Sequence, residues 1–272
     1  MIIKSYIGSK EYRFDSDDAV DISIPLNFND DQPNSYGVQK AKAKTYISDK
    51  LIGDTRSGGS CNFEEYTLIP HCNGTHTECV GHISYERISI HETFRHVLIP
   101  AVLVSVKPEK ADKTSDTYNP QKNKEDLLIT KSALEKSISK IGTDFLIALI
   151  IRTLPNDDTK KTRNYIEQPP PFFSLEAMEY ISSLNVNHIL VDIPSVDRTF
   201  DEGKLSAHHI FWNVTQESHE VDKKVHSLKT ITEMIYIPDD VKDGNYLLNL
   251  QIAPFVADAS PSRPVIFKIK SD

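Results

Sequence analysis

Three nearly uninterrupted apolar runs, Val97–Val106 (VLIPAVLVSV), Phe145–Ile151 (FLIALII) and His188–Ile193 (HILVDI), constrain this chain's fold most strongly. Each is strand-length and lacks the alternation of a half-solvated strand, so both of its faces must be covered. Helical spacing appears between them. Thr130 is placed to cap a helix in which Leu134, Ile138 and Ile141 recur, and Ser174 a second with Leu175, Met178, Ile181 and Leu184. Val20–Leu26 and Glu65–Ile69 read as further strands, and the polar stretches Lys107–Asp126 and Gln216–Thr230 as surface insertions. Doubly covered strands interleaved with helices predict an α/β fold. One domain over residues 1–272 is expected, built on a mixed β-sheet core with flanking helices.

Composition narrows the function classes. The chain carries 31 Lys and Arg against 39 Asp and Glu, a net charge of -8. With no dense basic stripe, it is a poor match for nucleic acid or an anionic membrane surface. No apolar run approaches the roughly 20 residues of a membrane span, and the first residues lack a signal-peptide core. Three cysteines, Cys61, Cys72 and Cys79, cannot build a disulfide framework. A small-molecule substrate and a reducing, cytoplasmic setting are the expectation.

Chemistry concentrates in the twelve residues from His71 to His82 (HCNGTHTECVGH). On an extended backbone, side chains two apart share a face. That parity brings Cys72, His76, Glu78 and His82 together and turns His71 away. Thiolate, imidazole and carboxylate donors suit zinc or a similar divalent ion, and Gly74 would let the backbone bend closely around it. The competing readings are a set of satisfied structural side chains, and a nucleophilic Cys72 or Cys79 with His76 or His82 as base. Metal ligation competes for the same groups as the nucleophile.

This segment resembles the signature of the metal-dependent cyclase/arylformamidase (kynurenine formamidase-like) family. Aligned on Gly74-Thr75-His76, the resemblance puts Cys72 and His76 at two metal-ligand positions, Glu78 at the bridging carboxylate and His82 at the unligated catalytic histidine. Asp21–Leu26, Asp54–Gly59, Ala148–Thr153, Val191–Asp197 and Ser260–Pro264 are similar to other family motifs. The second half of the metal site then falls on His208, with His209 beside it as the alternative, and on Glu233. Gln216–Thr230 lengthens the stretch between them. Three departures stand out: Cys72 for a histidine, Glu78 for an aspartate and Val80 for a proline. A thiolate at the first position favours zinc over manganese or magnesium.

The resemblance implies a swivelling β/β/α fold, one or two zinc ions, and a homo-oligomer, commonly a dimer. It implies hydrolysis of a small amide, formamide or cyclic amide by water that the metal activates, with His82 as general acid/base. Cleavage of N-formylkynurenine in tryptophan catabolism is the leading example. The alternatives are isatin-type ring opening and a zinc-binding relative that has lost catalysis. In this sequence Trp212, beside His208, is a candidate for either pocket wall or core. Asp192, Ser195 and Asp197 either shape the pocket or form a turn at a strand end, and the turn is the favoured reading. Arg56 and Arg263 either pin loops or touch substrate.

Overall fold

The structure, a computed structural model, describes residues 1–270. In chain order its strands are β1 (Ile2–Ile7), β2 (Lys10–Asp21), β3 (Lys42–Thr45), β4 (Glu64–Thr67), β5 (His76–Glu78), β6 (Leu98–Val106), β7 (Glu109–Lys110) and β8 (Leu127–Ile129). There follow β9 (Ala148–Thr153), β10 (Phe172–Phe173), β11 (His188–Val191), β12 (Thr230–Glu233), β13 (Gly244–Asn249), β14 (Ala259–Pro261) and β15 (Val265–Lys270). The α-helices are α1 (Pro70–Asn73), α2 (Ile90–Thr93), α3 (Lys131–Ile138), α4 (Leu175–Ser183) and α5 (Ser206–Trp212).

The three apolar runs supply β6, β9 and β11, adjacent strands at the centre of a ten-stranded sheet ordered β1-β2-β15-β13-β6-β9-β11-β12-β5-β14. β6, β9, β11 and β12 pair in parallel. The wings on either side are antiparallel, so the sheet is mixed as the sequence predicts. Alternate residues serve opposite layers. Val102, Val104, Leu149 and Ile151 face a core that includes Met178 and Ile181 of α4 and Phe211 of α5. Ala101, Leu103, Ala148 and Ile150 face a second core with Ile235, Ile237, Tyr246 and Leu248. Both faces of the central strands are therefore dry, which explains the missing polar alternation.

Both predicted caps form. Thr130 accepts from the Ala133 amide at 3.3 Å and Ser174 from the Ala177 amide at 3.1 Å. The second apolar run is trimmed, since β9 begins only at Ala148 and Phe145 instead packs edge-on against Tyr12.

A candidate metal centre at the sheet edge

Three short strands bring the chemistry together. β5 lies between β12 and β14, antiparallel to both, and the register sets His76 opposite Glu233 and Glu78 opposite Ala259. Alternation puts His76 and Glu78 on one face of β5. Thr77 points the other way, where its hydroxyl meets Thr232 at 2.8 Å. Glu233 ends a parallel strand, and the 192–197 loop leaves the end of its neighbour β11, the side of a parallel sheet where sites are usually built. That loop supplies Asp197, which accepts from the Ala207 and His208 amides at the start of α5 and from His208 Nδ1 at 2.5 Å. So held, His208 turns Nε2 to Glu78 Oε1 at 2.9 Å, with Glu233 Oε1 at 3.9 Å.

Two more histidines repeat the pattern of one ring nitrogen anchored outward and the other turned inward. His76 Nδ1 donates to the Gly74 carbonyl at 3.0 Å, and its Nε2 faces Glu233 Oε2 at 3.4 Å. His71 Nε2 donates to Asp258 Oδ2 at 2.8 Å, and its Nδ1 lies 3.1 Å from Glu78 Oε2. Outer acceptors of this kind fix the tautomer and orientation of metal-binding imidazoles. His76 Nε2 is buried with no hydrogen-bond partner among the described residues, and Glu78 Oε2, equally buried, has only the His71 Nδ1 contact at 3.1 Å and no hydrogen bond of good geometry. Buried polar atoms without partners are costly, and a cation between them would satisfy both. The ligating atoms of His71, His76 and Glu78 fall within 4.8 Å of one another, as do those of Glu78, His82 and His208. The residues present therefore fit a divalent ion.

The charges are mutually arranged. Burial opposes ionisation of Glu78, but His82 and His208 outweigh it and hold the carboxyl well below the usual range. Burial likewise opposes an imidazolium at His208, yet Glu78 and Asp197 raise its pKa well above the ordinary value. Against the same burial, Asp258 and Glu78 raise His71 to about 10. His71, Cys72, His82, His208 and Glu233 border a cavity of about 760 Å³, a normal size for a small-molecule site.

His76, Glu78, His82, His208 and Glu233, all selected from the sequence, thus converge. His71 joins them, contrary to the parity expectation. Residues 70–73 form the helical turn α1, so two-residue alternation does not extend back past Gly74. Cys72 borders the cavity, but its thiol belongs to none of the clusters of ligating atoms. Burial, and then the charge of Glu233, push that thiol up to about 11. Burial also pushes Cys79 up to about 11, and it donates to the Ile88 carbonyl. Neither is the activated thiolate that a nucleophile requires. Gly74 is simply extended at φ 177, and a Cβ there would only touch Leu26 at 3.9 Å, so no close bend depends on it.

Other expectations resolve in the same way. His209 is buried on the far side of α5 toward His219, its Nδ1 unpartnered. Trp212 is a core residue whose indole donates to the Lys229 carbonyl, with its ring 5.2 Å from that of His208. Arg56 pairs with Asp54 and Arg263 with Asp21, so both pin loops. Asp197 does more than form a turn, as does Asp192, which is buried against Lys160 and Thr153. Sequence reasoning missed Asp258 and Tyr118. The Tyr118 hydroxyl donates to Asp197 at 2.6 Å from within the supposed surface insertion. Neither residue carries a local signal, because each meets its partner only through the fold.

Comparison with known proteins points to one family. The Cyclase family model, described as "Putative cyclase", matches residues 20–198. A kynurenine formamidase of Bacillus cytotoxicus is 26% identical over 254 residues, covering 91% of this chain and 96% of that protein. Among solved structures, isatin hydrolase A from Labrenzia aggregata superposes with a TM-score of 0.58 at 15% identity, covering 93% of this chain and 94% of that one. A structure described as a potential metal-dependent hydrolase with cyclase activity gives 0.56 at 15% identity, covering 92% and 98% respectively. At such identities the structural matches establish the shared fold.

Proposed function

The chain belongs to the cyclase family, and from that premise we propose that it is a metal-dependent hydrolase of small amides, acting on formamides in the manner of an arylformamidase. One observation carries the reading: three buried or half-buried histidines, each anchored on its outer nitrogen, turn the other nitrogen toward Glu78 and Glu233 beside an open cavity. His76, Glu78, His208 and Glu233 would hold the ion or ions, joined by His71 in preference to Cys72. Imidazole and carboxylate donors suit zinc. A divalent ion there supplies polarisation of the substrate carbonyl and a lowered pKa for the attacking water.

The remaining chemistry falls to the chain itself. His82 borders the cavity with its Nδ1 turned to carboxylates, Asp258 at 3.4 Å and Glu78 at 3.8 Å. Its other nitrogen accepts a proton from the attacking water and returns it to the leaving nitrogen, so the amide bond breaks with the proton balance closed. Residues 1–272 are taken as one domain. Three free cysteines accord with a reducing cytoplasm. A homo-oligomer is the state the family resemblance implies.

The deciding experiment measures zinc content and turnover on N-formylkynurenine, formanilide and isatin. Hydrolysis that a chelator abolishes and zinc restores is the expected result. Full zinc occupancy with no turnover on any of the three would mark a metal-binding relative without catalysis. Isatin opening without formamide cleavage would move the substrate to cyclic amides.

A further inference from the structure

We propose that Asp258 is a positioning residue that sets the tautomer and orientation of His82. Resting on the reading of His82 as the proton carrier, this assigns a task to a carboxylate 176 positions away in sequence. Asp258 Oδ2 lies 3.4 Å from His82 Nδ1, nearer than the 3.8 Å of Glu78 Oε2. The same oxygen accepts from His71 Nε2 at 2.8 Å. The two imidazoles stack with centroids 4.3 Å apart and an interplanar angle of 30°. An oxygen that receives Nδ1–H fixes the proton on that nitrogen and leaves Nε2 as a lone-pair acceptor.

The backbone makes this placement rigid. The Asp258 carbonyl accepts from the Cys79 amide at 3.0 Å, and the next residue begins β14, paired to β5 with Ala259 opposite Glu78. Gly81 lets the 80–82 turn press close, because a Cβ there would come within 2.1 Å of the Ile88 carbonyl oxygen and 3.3 Å of Asp258 Cβ. These main-chain contacts survive a change of the Asp258 side chain. That side chain is 39% exposed, whereas Glu78 is 1% exposed. The more exposed carboxylate is suited to the outer role, and the buried one to the ion. Asp258 remains ionised throughout the cycle: the transferred proton arrives at and leaves from Nε2, and the Nδ1 proton stays in place.

The test compares Asp258→Ala, Asp258→Asn, His82→Ala and the Asp258→Ala/His82→Ala double variant. N-formylkynurenine and formanilide are the substrates, with saturating zinc and measured occupancy. Asp258→Ala is expected to lower kcat roughly 10- to 100-fold, the usual cost of losing such an outer partner, with KM nearly unchanged. Asp258→Asn, which keeps an acceptor oxygen without the charge, should fall between. The double variant should be no slower than His82→Ala alone, because the two residues act as one unit. Wild-type kcat in Asp258→Ala, a loss that matches lowered zinc occupancy (action through His71), or losses that multiply would each overturn the proposal. If the wild type hydrolyses neither substrate, the functional reading fails but this one is still tested by the ¹⁵N spectrum of the His82 ring. The wild type should show Nδ1–H and Asp258→Ala a tautomer mixture, and identical spectra would refute the assignment.

Discussion

Asp197 shows how much one buried side chain can organise. Its Oδ1 accepts from Tyr118 Oη at 2.6 Å and the Ala207 amide at 2.7 Å, and its Oδ2 from the His208 amide and ring. The two amides can only donate, and the hydroxyl and the ring are placed to donate as well, so a carboxylate with two acceptor oxygens satisfies all four. His208 keeps this carboxyl ionised against the cost of burial. Asp197→Asn preserves the shape but, whichever way the amide turns, its NH₂ meets a backbone N–H, of Ala207 or of His208, and no longer demands a proton on His208 Nδ1. The ring of His208 then loses its fixed tautomer, and zinc affinity should fall by roughly 10- to 100-fold. Competition against a chromophoric chelator measures this directly. Unchanged affinity would mean that His208 is held by packing alone. The sequence favoured Asp197 as a turn former over a pocket-shaping residue, because its motif shows a polar residue at a strand end and nothing of what reaches it from residues 118 and 208.

Among the secondary elements, what could be read in advance divides along physical lines. Features set by local chemistry were legible: the central strands from continuous apolarity, α3 and α4 from their caps, and the shared face of His76 and Glu78 from strand alternation. Those that depend on a change of backbone period were not. Pro70 starts a helical turn, favoured because its missing N–H would have no partner there, and this reverses the expected side of His71. The stretch 107–126, polar enough to read as an insertion, folds back through β7 and buries Tyr118 against Asp197. β11 carries a prediction of its own. His188 begins this strand, with Nδ1 on Thr230 Oγ1 at 2.8 Å and Nε2 on His96 Nδ1 at 3.0 Å, and the Phe94 ring edge-on. Burial, then repulsion from His96, push its pKa down from 6.5 to about 3. The unfolded chain therefore binds a proton between those values that the folded chain refuses, so stability is full above 6.5 and declines as pH falls toward 3. The slope from this one group reaches at most about 1.4 kcal/mol per pH unit. Denaturant unfolding at pH 7 and pH 4.5 should show a larger loss for the wild type than for His188→Gln. Equal losses would assign the acid sensitivity elsewhere.

At the scale of the molecule, the candidate centre ties a thin sheet edge to the rest of the fold. β5 and β14 have three residues each, and β12 has four, so few ladder bonds hold this margin. Yet it carries Glu78 and Glu233, both with almost no solvent exposure, and His76 with none. Two buried carboxylates near each other destabilise a fold unless positive charge lies between them. His71 and His208, whose pKa values are raised, supply that charge in the absence of an ion, and a divalent ion held by their neutral rings would take its place. Binding to the folded chain alone stabilises by mass action, about 2.7 kcal/mol when the free ion is 100 times its dissociation constant. For a chain of this size each kcal/mol moves Tm by roughly 2–4 °C. Zinc added to chelator-stripped protein should thus raise Tm by about 5–10 °C, in a concentration-dependent manner. Glu78→Gln, which keeps the volume and removes the charge that three histidines face, should abolish the rise. Calorimetry of both proteins across a zinc series decides the matter. A wild type that binds zinc without any rise in Tm would mean that the ion sits outside this edge, and a full rise in Glu78→Gln would mean that Glu78 is no ligand.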